Sequence, residues 1–142
     1  MRILLILLLG SGLWSLVSAA EQPNIIYILL DDAGYGDLSC YGQKKFETPN
    51  VDRLAVEGMK FTNHYSGSTV CAPTRSVLMS GLHTGHTPSR GNKEIRPVGQ
   101  HPIPANTFTI AEALKSAGYT TGAFGKWGLG SPGSEGDPIH QG

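Results

Sequence analysis

In the stretch TVCAPTRSVLMSGL a thiol at Cys71, a proline at position 73 and a guanidinium at Arg75 stand at the expected entrance of a helix. The free N–H groups of a first helical turn carry partial positive charge. Pro73 fixes the backbone there and Arg75 adds a permanent cation, so together they form an anion-binding corner. Such a corner activates thiols, which makes Cys71 a candidate reactive cysteine. A cysteine beside a helix start is equally suited to burial or to a disulfide with Cys40, the other cysteine of the chain. On these residues alone both readings stay open.

Asp31 and Asp32 are the second cluster. Adjacent carboxylates cannot share a face of an extended strand, so the pair can act on one ion only where the backbone turns. With such a turn, all-oxygen ligation suits a hard cation such as Ca2+ or Mg2+, which also relieves the repulsion between them. Two solvated loop carboxylates, or a cap, are the plainer alternative. Lys126 follows in FGKWGLG, where flanking glycines allow a ligand close approach; a surface lysine packed over Trp127 is again the plain reading. His64, His83, His86 and His101 show no metal-ligand spacing, and none is assigned to a metal.

These residues need elements to hold them. NIIYILL, residues 24–30, is a continuous apolar run that ends at the two aspartates, the pattern of a buried parallel strand. The glycine-punctuated stretch after it reads as a loop. TPNVDRLAVEG reads as a helix with Thr48 as N-cap, Pro49 in its first turn, Val51, Leu54 and Ala55 on one face, and Gly58 as its stop. MKFTNHYS alternates like a strand, residues 66–73 form a turn, and TRSVLMSGL forms a short helix. From His83 to Asn106 there is no periodicity, and a loop of that length is more often functional than incidental. TIAEALKSAGY has Thr109 and Glu112 at capping-box spacing, an apolar face of Ile110, Ala113, Leu114 and Ala117, and Gly118 as terminator. YTTGAFGKW resumes as a strand that delivers Lys126.

Alternating strands and helices predict an α/β fold with a mostly parallel sheet and flanking helices, which places ligands at the carboxyl ends of the strands. All three clusters fall there. The first twenty residues carry Arg2, an uncharged apolar run and small residues up to Ala20, the layout of a cleaved signal peptide rather than a retained anchor. Residues 21–142 are then one small, exported unit. Eleven basic residues balance eleven acidic ones, which gives no reason to expect a nucleic-acid or anionic-membrane partner.

Taken together, PNIIYILLDDAGYGDLSCYG, the stretch from TPNVDRLAVEG through CAPTRSVLMSG, TIAEALKSAGYTTGAFGKWGLG and the closing HQG resemble the amino-terminal part of the arylsulfatase family, within the alkaline-phosphatase-like superfamily. CAPTR matches the family's C-x-P-x-R signature. The resemblance implies a sulfuric ester hydrolase and makes Cys71 the precursor of formylglycine, installed by a formylglycine-generating enzyme. One hydroxyl of the hydrated aldehyde would attack sulfur and displace the alcohol; deprotonation of the other would let the aldehyde reform and expel sulfate. It further implies that Asp31, Asp32 and an oxygen of modified residue 71 bind one Ca2+. Arg75 would hold the modified side chain and Lys126 would contact the sulfate. The expected substrate is an aryl or carbohydrate sulfate, in the periplasm, a lysosome or outside the cell, with no membrane association after signal cleavage.

Two departures qualify the resemblance. The family often has GKWHLG where this chain has Gly128, so any step that relies on that histidine has no candidate here. The family's remaining metal and substrate ligands come from segments beyond residue 142, which points to an incomplete catalytic domain and to little or no turnover by this polypeptide alone. The competing readings are an inactive truncated fragment and a phosphatase or phosphodiesterase of the same superfamily. CAPTR opposes the second, whose nucleophile is normally serine or threonine.

Overall fold

A helix begins where side chains or solvent can serve its first amides and ends where the chain can leave the helical conformation. The computed structural model describes residues 22–96 and 99–142; the expected signal peptide lies outside the described residues. Helix α1 spans Pro49–Glu57, with Thr48 at its N-cap and the Gly58 N–H closing on the Leu54 carbonyl at 2.9 Å. The Thr48 hydroxyl caps no amide of the helix. It joins a knot instead: Ser39 Oγ donates to Asp52 Oδ2 at 2.6 Å, Thr48 Oγ1 donates to Asp52 Oδ1 at 3.0 Å, and the Thr48 N–H donates to Ser39 Oγ at 2.8 Å. Those bonds, the one from Ser39 first, hold the Asp52 carboxyl below its ordinary value and fasten the glycine-rich loop to α1.

Helix α2 spans Cys71–Ser80 and begins earlier than the sequence suggested. Pro73 did not delay it, because the first amides of a helix have no intrahelical acceptor and a proline there removes nothing the helix uses. Cys71 is therefore inside the first turn. Helix α3 spans Ile110–Ser116, and its capping box is complete: Glu112 N–H donates to Thr109 Oγ1 at 3.2 Å and Thr109 N–H to Glu112 Oε2 at 2.8 Å. Gly118 adopts φ 87°, a left-handed conformation that lets its N–H reach the Lys115 carbonyl and turn the chain out of the helix.

Among the described residues the one ladder is a short antiparallel pair, β1 (Glu94–Ile95) with β2 (Gly99–Gln100), inside the long loop where no periodicity announced it. The segments expected as strands, residues 24–30, 59–66 and 119–127, carry no ladder bonds. A strand's backbone groups are satisfied only by a neighbour, so apolar sequence alone does not make one. Two of these segments nevertheless lie side by side. Gln22 Nε2 donates to the Ala117 carbonyl at 2.7 Å, Lys126 Nζ donates to Asp31 Oδ2 at 2.6 Å, and both ties link residues 95 apart in sequence. The two segments thus run in the same direction, and a groove of about 820 Å³ lies between them, α2 and α3.

The buried core is small: Ala72, Ile103 and Leu129, with Met79 and Trp127 packed against it. The last residues close over its edge. Trp127 Nε1 donates to the Gly136 carbonyl at 2.7 Å, and the buried Gln141 accepts the Thr109 hydroxyl on its own carbonyl at 2.6 Å. Ala72 belongs to α2 and Leu129 follows Lys126 by three residues, so this core ties the helix mouth to the lysine-bearing segment.

Candidate active site

The first turn of α2 sets Cys71 and Arg75 one helical turn apart on one face. The guanidinium is nearly enclosed and makes two contacts: Nη2 lies 3.2 Å from Asp31 Oδ1, and Nη1 donates to the Lys126 carbonyl. Lys126 Nζ takes the other oxygen of Asp31 at 2.6 Å. One carboxylate is thus held between two cations, with the three groups drawn from the end of segment 24–30, from α2 and from the end of segment 119–127. Four of the five residues singled out by sequence, Asp31, Cys71, Arg75 and Lys126, meet at one place.

The electrostatics follow from that contact. The hydrogen bond from Lys126, then that from Arg75, pulls the Asp31 carboxyl below its ordinary value of 3.8. Its bond to Asp31 first, and then the proximity of Cys71, raises the Lys126 ammonium above its ordinary 10.5. A carboxyl lowered by folding stabilises the fold above its unfolded value and loses that contribution as pH falls through the lowered one. A raised lysine contributes below its unfolded value and loses it as pH rises through the raised one. The pair is therefore charged on both sides throughout the range from 3.8 to 10.5.

Asp32, the fifth residue, sits where the backbone bends, at φ 57°, a left-handed value uncommon outside glycine. This is the turn that adjacent carboxylates require if both are to face one ion. A cleft of about 190 Å³ beside it is lined by Asp31, Asp32, Ser68, Thr69, Cys71 and Arg75. The donor set on offer is carboxylate and hydroxyl oxygen, the kind a hard divalent cation takes. Among the described residues no third His, Cys, Asp or Glu joins them to make a cluster sufficient for a metal. Asp31 and Asp32 fit a hard divalent cation by donor chemistry, as part of a larger ligand set.

Cys40 and Cys71 are both free, so the disulfide that the sequence left open is absent. Cys71 Sγ instead donates to Asn92 Oδ1 at 3.5 Å. Sequence reasoning missed Asn92 because no spacing rule links a loop amide to a helix that starts 21 residues earlier. It also read Gly128 only as a departure from the GKWHLG pattern. Here Gly128 adopts φ 75° beneath the Arg75 stem, and a Cβ at that position would lie 3.3 Å from Arg75 Cδ. A side chain here would require the arginine stem to give by a few tenths of an ångström.

A thiol at a helix mouth, a fixed guanidinium, and an acid paired with a lysine stand together on a helix-flanked scaffold. Solved structures share that scaffold. One from work on glycosaminoglycan metabolism by Bacteroides thetaiotaomicron superposes with a TM-score of 0.70 at 44% identity, covering 78% of this chain and 23% of that one. Another, Ps i-CgsB, gives 0.71 at 33% identity, over 78% of this chain and 24% of that one. The Sulfatase family model matches residues 23–137, and the chain belongs to the sulfatase family. Among its relatives are an N-acetylgalactosamine-6-O-sulfatase of B. thetaiotaomicron, 46% identical over 78% of this chain and 21% of the relative, and human arylsulfatase A, 42% identical over 97% and 26%. The chain therefore spans about a quarter of the length of the curated relatives it matches.

Proposed function

We propose that this chain carries the nucleophile-bearing part of a sulfuric ester hydrolase, with residue 71 converted from cysteine to formylglycine by a formylglycine-generating enzyme. The observation that carries the reading is the meeting of Cys71, Arg75 and the Asp31–Lys126 pair in a chain of the sulfatase family. Asp31, Asp32 and an oxygen on residue 71 would hold one Ca2+, which when bound supplies a Lewis acid beside the nucleophile. Formylglycine supplies a carbon that can carry two hydroxyl groups, which a serine cannot.

The chain's own residues do the rest. Arg75 fixes the orientation of Asp31 and, through the Lys126 carbonyl, the end of segment 119–127, so the charged groups are set before a substrate arrives. Lys126, kept protonated by Asp31, offers a fixed cation to the negative oxygens of a sulfate group and to the charge that grows on them during transfer. The helix mouth adds the partial positive charge of its first turn.

We assign segments 24–30 and 119–127 to neighbouring positions in a mostly parallel sheet; their common direction and the ties at both ends support this. The substrate is an aryl or carbohydrate sulfate, and residues 1–20 direct export to a periplasm or a secretory compartment and are cleaved in the process. No helix among the described residues is long and apolar enough to cross a membrane. In an active sulfatase that bears this stretch, Cys71→Ala lowers sulfate ester hydrolysis by at least roughly a thousandfold, since it removes the nucleophile itself. Hydrolysis of phosphate and sulfate esters at equal rates would favour phosphatase chemistry instead.

A further inference from the structure

The N-cap of α2 is Val70, which has no side-chain oxygen to offer the first turn. A residue from the long loop takes that role. Asn92 Oδ1 accepts the Ala72 N–H at 3.1 Å and, with the same atom, the Cys71 Sγ at 3.5 Å. One carboxamide oxygen thus caps the helix and sets the direction of the side chain at residue 71.

The loop that carries Asn92 is pinned to α2. The buried Ser76 and Thr87 share a hydrogen bond of 2.6 Å between their hydroxyls, and the Ser89 N–H donates to Ser76 Oγ at 3.2 Å. Beyond Asn92 the chain enters the β1–β2 pair, and the His101 N–H closes on the Lys93 carbonyl at 2.8 Å. Asn92 is therefore clamped on both sides, and its oxygen has a fixed address. A loop amide that served only to cap a helix would have no need to meet the one side chain on which the chemistry depends.

We propose that Asn92 is a positioning residue for the group at position 71. Its oxygen accepts a hydrogen bond from that side chain and holds it in one rotamer, whether the group is the encoded thiol or a hydroxyl of the hydrated aldehyde. The inference rests on the reading that residue 71 is the nucleophile's position, but it is tested separately from the modification. Losing the acceptor frees the side chain to sample other rotamers, while an isosteric acceptor keeps it in place.

The test uses the chain with residue 71 as the thiol and compares labelling of Cys71 by iodoacetamide with that of Cys40, which serves as an internal reference. Asn92→Ala raises the Cys71-to-Cys40 ratio by roughly threefold or more, whereas Asn92→Asp, which retains an oxygen at the same place, leaves it no higher than in the parent chain. Thr87→Val preserves shape but cuts the loop's tie to Ser76, and it shifts the ratio in the same direction as Asn92→Ala. In chains whose residue 71 is the aldehyde, capture by an aminooxy probe follows the same order. A ratio unchanged in both Asn92→Ala and Thr87→Val overturns the proposal, as does an Asn92→Asp chain that labels like Asn92→Ala. A native residue 71 that is never modified would sink the formylglycine reading and leave these ratios as they are.

Discussion

At the mouth of α2, Ala72 and Ser76 are 2% and 1% exposed, while in segment 24–30 Ile26 and Ile28 stand at 86% and 73%, and Phe124 in the facing segment at 99%. Both regions are rich in apolar residues, yet one is closed and the other open. The difference lies in where each finds its hydrogen-bond partners. A helix pairs its own backbone, and α2 needs only an oxygen from Asn92 and the hydroxyls of Ser76 and Thr87 to be complete. A parallel strand pairs nothing within itself, so segments 24–30 and 119–127, though aligned, remain without a ladder. The charged corner sits at the junction of the two regions. Its geometry comes from the closed side through Arg75 and from the open side through Asp31 and Lys126.

The comparison breaks first under amide hydrogen exchange. Amides of α2 from Arg75 to Ser80 should exchange at least roughly a hundredfold more slowly than those of residues 25–30, because only the former are bonded within an element. Equal protection of both would show that the two segments pair with each other in solution. A smaller effect is expected at the junction. Gly128→Ala forces a side chain into a left-handed conformation and against Arg75, which should cost about 1 kcal/mol in denaturant unfolding and loosen the Arg75–Asp31 contact. An unchanged midpoint would mean that the arginine does not depend on that clearance. The smallest effect belongs to the open side. Ile26→Ser should change the stability of this chain by no more than about 0.5 kcal/mol, since the side chain is already in water.

The parts legible in the sequence were those that residues specify locally. Thr109 with Glu112, Gly118, and Thr48 with Pro49 each fix a helix end within a few positions, and the structure places α1 and α3 where they point. Helix α2 was legible in kind, but its start was set too late, because Pro73 was read as the boundary rather than as a tolerated member of the first turn. The segments expected as strands were read from their residue patterns alone, and the structure pairs none of them, since pairing is a property of two segments. The meeting of Asp31, Cys71, Arg75 and Lys126 was legible from the order of motifs. Asn92 was not, because its role comes from a loop folded back onto a helix, and no periodicity encodes that.

Catalysis at this site depends on the chemical identity of residue 71. Mass spectrometry of the peptide that spans CAPTR, taken from protein exported by its native host, reads it directly. An aldehyde or its hydrate at residue 71, with Cys40 still a thiol in the same preparation, is the predicted result. An unmodified cysteine at position 71 in all of the material would contradict the account.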